Sequence, residues 1–311
     1  MLMPGPGVDH VLLTRFNLPT KGYESLIRAQ EGWLHDRMSL FEKYCLPSIR
    51  NQSDNNFRWI IYFDPESPQW LRDRVREINT DGVFSAVFRA EVLGSELIED
   101  IDRVVGTRKR YLLTTNLDND DGLAADFVRR IRTVAPSDGS VAVYLTHGLI
   151  RSGDATYLHS DPDNAFCSVL APWSEPKTCW ADWHNLLGRS MPVVRLGGSP
   201  AWLQVVHGAN VSNRVHGRRV SPVSYARHFP GLLDDISRTT RAQLLKDQLL
   251  LAPARMGRET ARAAAKTLVQ ATSGRSRIDQ LKIWWATQTM RFRSWGAFVS
   301  KTAGATRNRS R

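Results

Sequence analysis

An α/β fold with a mostly parallel sheet flanked by helices is what this sequence predicts, on three observations. Short apolar runs alternate with stretches of helical periodicity through the first 135 residues. One such run, 111–115, opens abruptly into three carboxylates, Asp118, Asp120 and Asp121, and ligands bind at the carboxyl ends of strands in open α/β sheets. A hydrophobic content of 42% over 311 residues supplies the core for one large domain and an appendage.

Residues 8–16 read as the first strand. Leu34, Met38, Phe41, Cys45 and Ile49 recur at helical spacing, which predicts a helix over 33–52 that Pro47 kinks or ends. The nearly continuous apolar run 57–63 is a buried strand closed by Asp64-Pro65. Pro68 suits the first turn of a helix reaching about residue 79. Residues 83–92 are expected as the third strand, 94–106 as a helical connection, 111–115 as the fourth strand and 124–133 as the helix after the acids. Residues 140–150 and 155–159 are expected to pair as a hairpin about Ser152-Gly153-Asp154, followed by a strand over 165–170. Trp, Pro, Gly and His crowd 171–230, as in long loops that wall a site, and helical spacing returns from 231.

Charge is distributed unevenly. The net value is +11, and residues 254–311 hold thirteen Lys and Arg against Glu259 and Asp279, leaving 29 side chains of each sign before them. The first 253 residues therefore have no general affinity for polyanions. Cys45, Cys167 and Cys179 are odd in number and far apart, which suits reduced, buried thiols. No apolar run approaches the roughly 20 residues of a spanning helix, and the first residues lack a secretory pattern, so a cytoplasmic protein is expected.

Asp, Asn and Gly are ordinary turn residues, so the Asp118-Asn119-Asp120 triplet has a plain reading as a solvated turn. Its other reading is a divalent-cation site, since carboxylates separated by one residue face the same way. An EF-hand loop is excluded, because its twelfth position is Arg129 rather than Glu. An aspartate-dependent phosphatase also carries such a triplet after a strand and stays as an alternative.

The segments TRFNLPT, WLHDRMSLFEKYCLPSIRNQSDNNFRWIIYFDPESPQWL, TTNLDNDDGLAADFV and WLQVVHGANVSN resemble the bacterial putative rhamnosyltransferase family, glycosyltransferases of GT-A (Rossmann-like) type, over about residues 8–230. The resemblance implies a GT-A domain over 1–230, with a nucleotide-binding half (1–135) and an acceptor-side half (136–230); spacing and charge add a helical, basic extension over 231–311. It implies transfer of a sugar, rhamnose among the candidates, from a nucleoside diphosphate donor to an acceptor hydroxyl in polysaccharide or glycolipid assembly, with inversion. Asp118 and Asp120 match the places that hold Mn²⁺ or Mg²⁺ and the donor, and Asp121 supports them; the cation stabilises the departing diphosphate.

Other candidates follow from position. Asp64 closes the second strand, where such enzymes offer a carboxylate to the nucleobase; its plain reading is a turn before Pro65. Arg15 and Asn17 follow the first strand at the lip where the nucleotide should lie, and Arg108 precedes the strand of the acids as a further donor-binding candidate. His207 stands at a strand end beside Gly208 and is a third candidate metal ligand, against a structural role. Deprotonating the acceptor requires a base, for which Asp182 is the first choice and His184 the second. Trp180 and Trp183 beside them are sugar-stacking candidates or core aromatics.

Leu281, Trp284, Trp285, Phe292, Trp295 and Val299 share a helical face among basic residues, which suits peripheral contact with an anionic membrane through 281–299, or a helix packed on the core. No nucleic-acid module accompanies that charge, so no nucleic acid is expected. A basic membrane or nucleic-acid adaptor on an inactive GT-A fold is the alternative outside enzymes.

Overall fold

The computed structural model describes residues 7–19, 32–207, 215–255 and 257. Strand β1 (Val8–Arg15) is buried along its whole length except Arg15. It lies between β2 (Arg58–Phe63) and β4 (Tyr111–Asn116), parallel to both, and it is buried without alternation because a core cluster packs on each of its faces. Val8, Leu12 and Phe16 enter one core cluster with Trp59, Ile61 and Phe63, whereas Val11 and Leu13 enter a second with Ile60 and Tyr62.

The main sheet has seven strands in the order β10-β6-β9-β4-β1-β2-β3, with β3 (Ser85–Phe88), β6 (Val141–Leu145), β9 (Ser168–Pro172) and β10 (Val193–Leu196). Only β9, inserted between β4 and β6, runs against the others. Helices α1 (Trp33–Leu40, Phe41–Cys45 and Leu46–Arg50), α2 (Gln69–Ile78), α3 (Gly94–Val105) and α4 (Phe127–Ile131) accompany it. The chain therefore has the expected α/β architecture, a mostly parallel sheet flanked by helices.

Pro47 neither ends nor interrupts α1. The middle segment is a π turn, in which the Leu46 N–H reaches the Phe41 carbonyl, and this wider turn accommodates a proline that lacks an N–H. The third strand is shorter than 83–92, and the helix after the acids is shorter than 124–133 because Gly122–Leu123 forms a strand of its own, β5. The run 140–150 is two strands rather than one: β6 joins the main sheet and β7 (His147–Ser152) joins a second.

That second sheet has the order β12-β8-β7-β11-β5, with β8 (Ala155–Ser160), β11 (Trp202–Val206) and β12 (Arg218–Val220). The expected hairpin is β7–β8, turned by Gly153 at φ 55°. Trp202 on β11 lies flat against Gly148 of β7, where a methyl group would overlap the ring. Residues beyond 230 contribute to the same packing: Leu232, Leu233 and Ile236 are buried with Leu149, Leu203 and Phe229, and Arg151 holds Asp235 through two hydrogen bonds of 2.6 and 2.8 Å. One compact unit runs to Pro253 and includes the short helix α5 (Arg241–Lys246). The face 281–299 lies outside the described residues, and no described helix is long and apolar enough to cross a membrane.

Candidate active site

The three acids leave the carboxyl edge of the main sheet from a fixed point. Leu117 is fully buried, its N–H bonds the Leu13 carbonyl at 3.0 Å, and its own carbonyl accepts the Thr14 hydroxyl at 2.8 Å. Asn119 then donates to the carbonyls of Arg15 and Phe16 at 2.8 and 2.7 Å, tying the loop to the end of β1. Past the acids, β5 pairs antiparallel with β11. That pairing explains the next two contacts: Val205 N–H donates to Asp121 Oδ1 at 2.8 Å, and His207 Nε2 lies 3.0 Å from Asp120 Oδ2.

Arg37 of α1 completes the cluster. Its Nη1 is 2.8 Å from the same Asp120 Oδ2 and 3.0 Å from Asn119 Oδ1, and its guanidinium lies over the Trp33 ring. Burial pushes Asp120 up, but the hydrogen bond from His207 and the charge of Arg37 outweigh it and hold this carboxyl below its ordinary range. Asp118 and Asp121 go the other way: burial within the protein mass, then the charge of Asp120, raises both, Asp121 most strongly. Asp118 nonetheless keeps its side chain open to solvent.

Asp121 Oδ2 is buried and has no hydrogen-bond partner among the described residues. An acceptor stranded beside two other carboxylates fits a cation, and carboxylate oxygens with an imidazole nearby suit Mg²⁺ or Mn²⁺. Asp120 is already engaged by Arg37 and His207, and among the described residues no three His, Cys, Asp or Glu side chains stand ready as a coordination set.

The structure brings Arg15 to this edge. Its guanidinium stacks 3.9 Å above the Trp180 ring, and Trp180 Nε1 donates to Asn116 Oδ1 at 2.7 Å. Asn116 Nδ2 also approaches Asp118 Oδ1 at 3.3 Å. Trp180 thus carries Arg15, while Trp183 is 74% exposed. Asn17 is buried and joins Asp64 N–H to the Ser67 hydroxyl, so it shapes the turn after β2. Asp64 Oδ1 accepts Glu66 N–H at 2.8 Å within that turn.

Arg108 requires a correction. It precedes β4, pairs with Asp102 and stacks on Trp173 at 4.7 Å, at the amino edge of the sheet. The six residues of β4 then carry the chain roughly 20 Å away from it before the acids begin. Arg108 does not share a site with Asp118. Asp182 and His184 lie on the segment that follows Trp180. Asp182 is exposed and accepts the Trp183 N–H at 2.7 Å. His184 Nδ1 bonds the Asp163 carbonyl, which can only accept; in the neutral ring the proton therefore sits on Nδ1 and the lone pair on Nε2.

Sequence reasoning missed Arg37 and Asn119. The available signal for Arg37 was its place one helical turn after Trp33, on the same face.

Solved structures similar to the chain include TarS of S. aureus in complex with UDP, at 10% identity and a TM-score of 0.37, covering 64% of this chain and 60% of that one. The inositol-1-phosphate CTP transferase of T. maritima is similar at 8% identity and a TM-score of 0.36, covering 74% and 98%. A putative nucleotide-diphospho-sugar transferase from Desulfovibrio desulfuricans G20 is similar at 9% and 0.35, covering 64% and 81%. The chain thus spans about 60% of the TarS chain in the UDP complex. No curated protein matches it. A family model does: residues 9–219, from the second residue of β1 to the middle of β12, match the putative rhamnosyl transferase family, and the chain belongs to that family.

Proposed function

We propose that the carboxyl edge of the main sheet binds a nucleoside diphosphate sugar together with Mn²⁺ or Mg²⁺, and that the protein passes the sugar, rhamnose being the first candidate, to an acceptor hydroxyl with inversion. The observation that carries this reading is the buried, unpartnered Asp121 Oδ2 beside Asp118 and Asp120. Asp118 and Asp121 would hold the cation, with Asp120 and His207 adjoining it. When bound, the cation supplies positive charge to the departing diphosphate. Arg15, kept in place by its stack on Trp180, offers a guanidinium to diphosphate oxygens at the same lip. Asp64 is assigned to the nucleobase and Asn17 to holding the turn that presents it.

The base that deprotonates the acceptor is drawn from the segment after Trp180. Asp182 offers an exposed carboxylate, and His184 an Nε2 whose lone pair is fixed by the Nδ1 bond. The acceptor is a glycan or a lipid-linked glycan, reached at the inner face of the plasma membrane through the basic residues after 253.

Thermal unfolding with dTDP, UDP and GDP, each with and without Mn²⁺, tests the reading on the wild type and on Asp118→Ala and Asp121→Ala. One nucleotide should stabilise the wild type only with Mn²⁺, and neither variant. Absence of any metal-dependent shift would remove the donor site and the reading with it.

A further inference from the structure

We propose that Arg37 is the built-in countercation of Asp120, and that it makes the site discriminate between a bare divalent cation and a cation already carrying a nucleoside diphosphate. The inference rests on the proposed donor site and concerns how that site is loaded.

Three observations place Arg37 there as a fixed charge. Its side chain is only 16% exposed and lies against Trp33, one turn earlier on α1. One nitrogen, Nη1, serves both Asp120 Oδ2 and Asn119 Oδ1, at 2.8 and 3.0 Å. Asn119 cannot yield, because its amide is spent on the carbonyls of Arg15 and Phe16 at the end of β1. His207 Nε2 lies 3.0 Å from the same Asp120 oxygen. Asp120 is thus compensated within the protein, while Asp121 Oδ2 is not.

The charges then oppose two ligands differently. A bare Mn²⁺ approaching Asp118 and Asp121 meets the repulsion of a guanidinium and competes with it for Asp120. A manganese–nucleoside diphosphate complex carries net negative charge, so the same guanidinium attracts it. Removing the charge of Arg37 should therefore move the two affinities in opposite directions. A side chain that only held the loop in shape would, on removal, weaken both.

The test is a Mn²⁺ titration of the wild type, Arg37→Gln and Arg37→Lys, read as protein-bound Mn²⁺ by equilibrium dialysis, first alone and then with saturating dTDP, UDP or GDP. Arg37→Gln is expected to bind Mn²⁺ alone about tenfold more tightly than the wild type and Mn²⁺ with nucleotide about tenfold more weakly. Arg37→Lys keeps the charge and should keep the wild-type order of the two. If both affinities fall in Arg37→Gln, or neither moves while the wild type binds Mn²⁺ with nucleotide, Arg37 is not the discriminating charge and the donor site stands. If the wild type binds Mn²⁺ in neither condition, the donor site itself is refuted, and this role of Arg37 goes with it.

Discussion

Asp100 and Asp121 are both buried, at 0% and 1% exposure, yet the protein treats them oppositely. Asp100, on α3, accepts Arg89 Nε and Nη2 at 2.7 and 2.9 Å, Arg103 Nη1 at 2.8 Å and the Tyr62 hydroxyl at 3.2 Å. Burial raises its carboxyl, but the Arg89 hydrogen bonds and charge outweigh it, and the group is held low. Asp121 receives one backbone N–H, has two acids as neighbours and is pushed well up. The first arrangement satisfies a buried charge inside the protein. The second leaves a carboxyl oxygen without a partner at the carboxyl edge of the sheet, where a proton or, on the proposed reading, a cation compensates it.

Breaking the first arrangement should produce the largest loss of stability. Arg89→Met leaves Asp100 with Arg103 and Tyr62 alone, and removing one partner of a buried pair costs about 3 kcal/mol. Urea unfolding at neutral pH checks this. Asp121→Asn is the matching change at the other site. It keeps the acceptor for Val205 N–H and removes a repelled charge, so ligand-free stability should hold or rise by about 1 kcal/mol. Metal-dependent stabilisation by nucleotide should vanish in the same variant. A destabilised Asp121→Asn would show that the carboxylate is satisfied and that the contrast with Asp100 fails.

A second buried group separates acid sensitivity from either acid. His10 on β1 hydrogen-bonds Thr115 at 2.9 Å, and burial, then the charge of Arg132, lowers its pKa to about 3. Unfolded, the ring ionises near 6.5. Between these values the unfolded chain binds a proton that the folded chain does not, so stability is intact above pH 6.5 and falls as pH decreases. The loss is about 1.4 kcal/mol for each pH unit descended in that window. Asp100 adds its own loss only at still lower pH, since a depressed carboxyl contributes above its unfolded pKa and loses that contribution on acidification. Stability measured from pH 7.5 to 4.5 should therefore lose less on acidification in His10→Gln than in the wild type, the raised carboxyls of Asp118 and Asp121 acting in the opposite sense in both.

How much of this was legible in the sequence depended on whether the determining partner lay nearby. Strands β1, β2 and β4 were readable because both faces are covered and the runs are continuously apolar. The place of His207 just beyond a strand was readable from the apolar run before it. The division of 140–150 was not, because the chain changes sheets at Thr146 within a run that reads as continuous, and the nearby Gly148 lies inside β7 against Trp202 rather than in a turn. The continuity of α1 through Pro47 depends on a π turn, which leaves no trace in apolar spacing. Arg37 meets Asn119 and Asp120 across more than 80 residues, a pairing that no local pattern encodes.

Arg108 shows the opposite error and gives the smallest expected effect. Nearness in sequence to the acids suggested nearness in space, but a strand carries its two ends apart. At the amino edge the charges are matched within the protein: Asp9 Oδ2 accepts Lys109 N–H at 2.8 Å and Trp173 Nε1 at 2.9 Å, while Arg108 faces Asp102 in solvent. An exposed pair of this kind contributes little, because water solvates both members when it is broken. Arg108→Gln should leave the unfolding midpoint within experimental error and the Mn²⁺–nucleotide affinity unchanged, whereas Arg15→Gln, at the carboxyl edge, should weaken that affinity about tenfold. If Arg108→Gln weakened it as much, the two edges would not be functionally distinct, and the assignment of ligand binding to the stranded acid would lose its spatial basis.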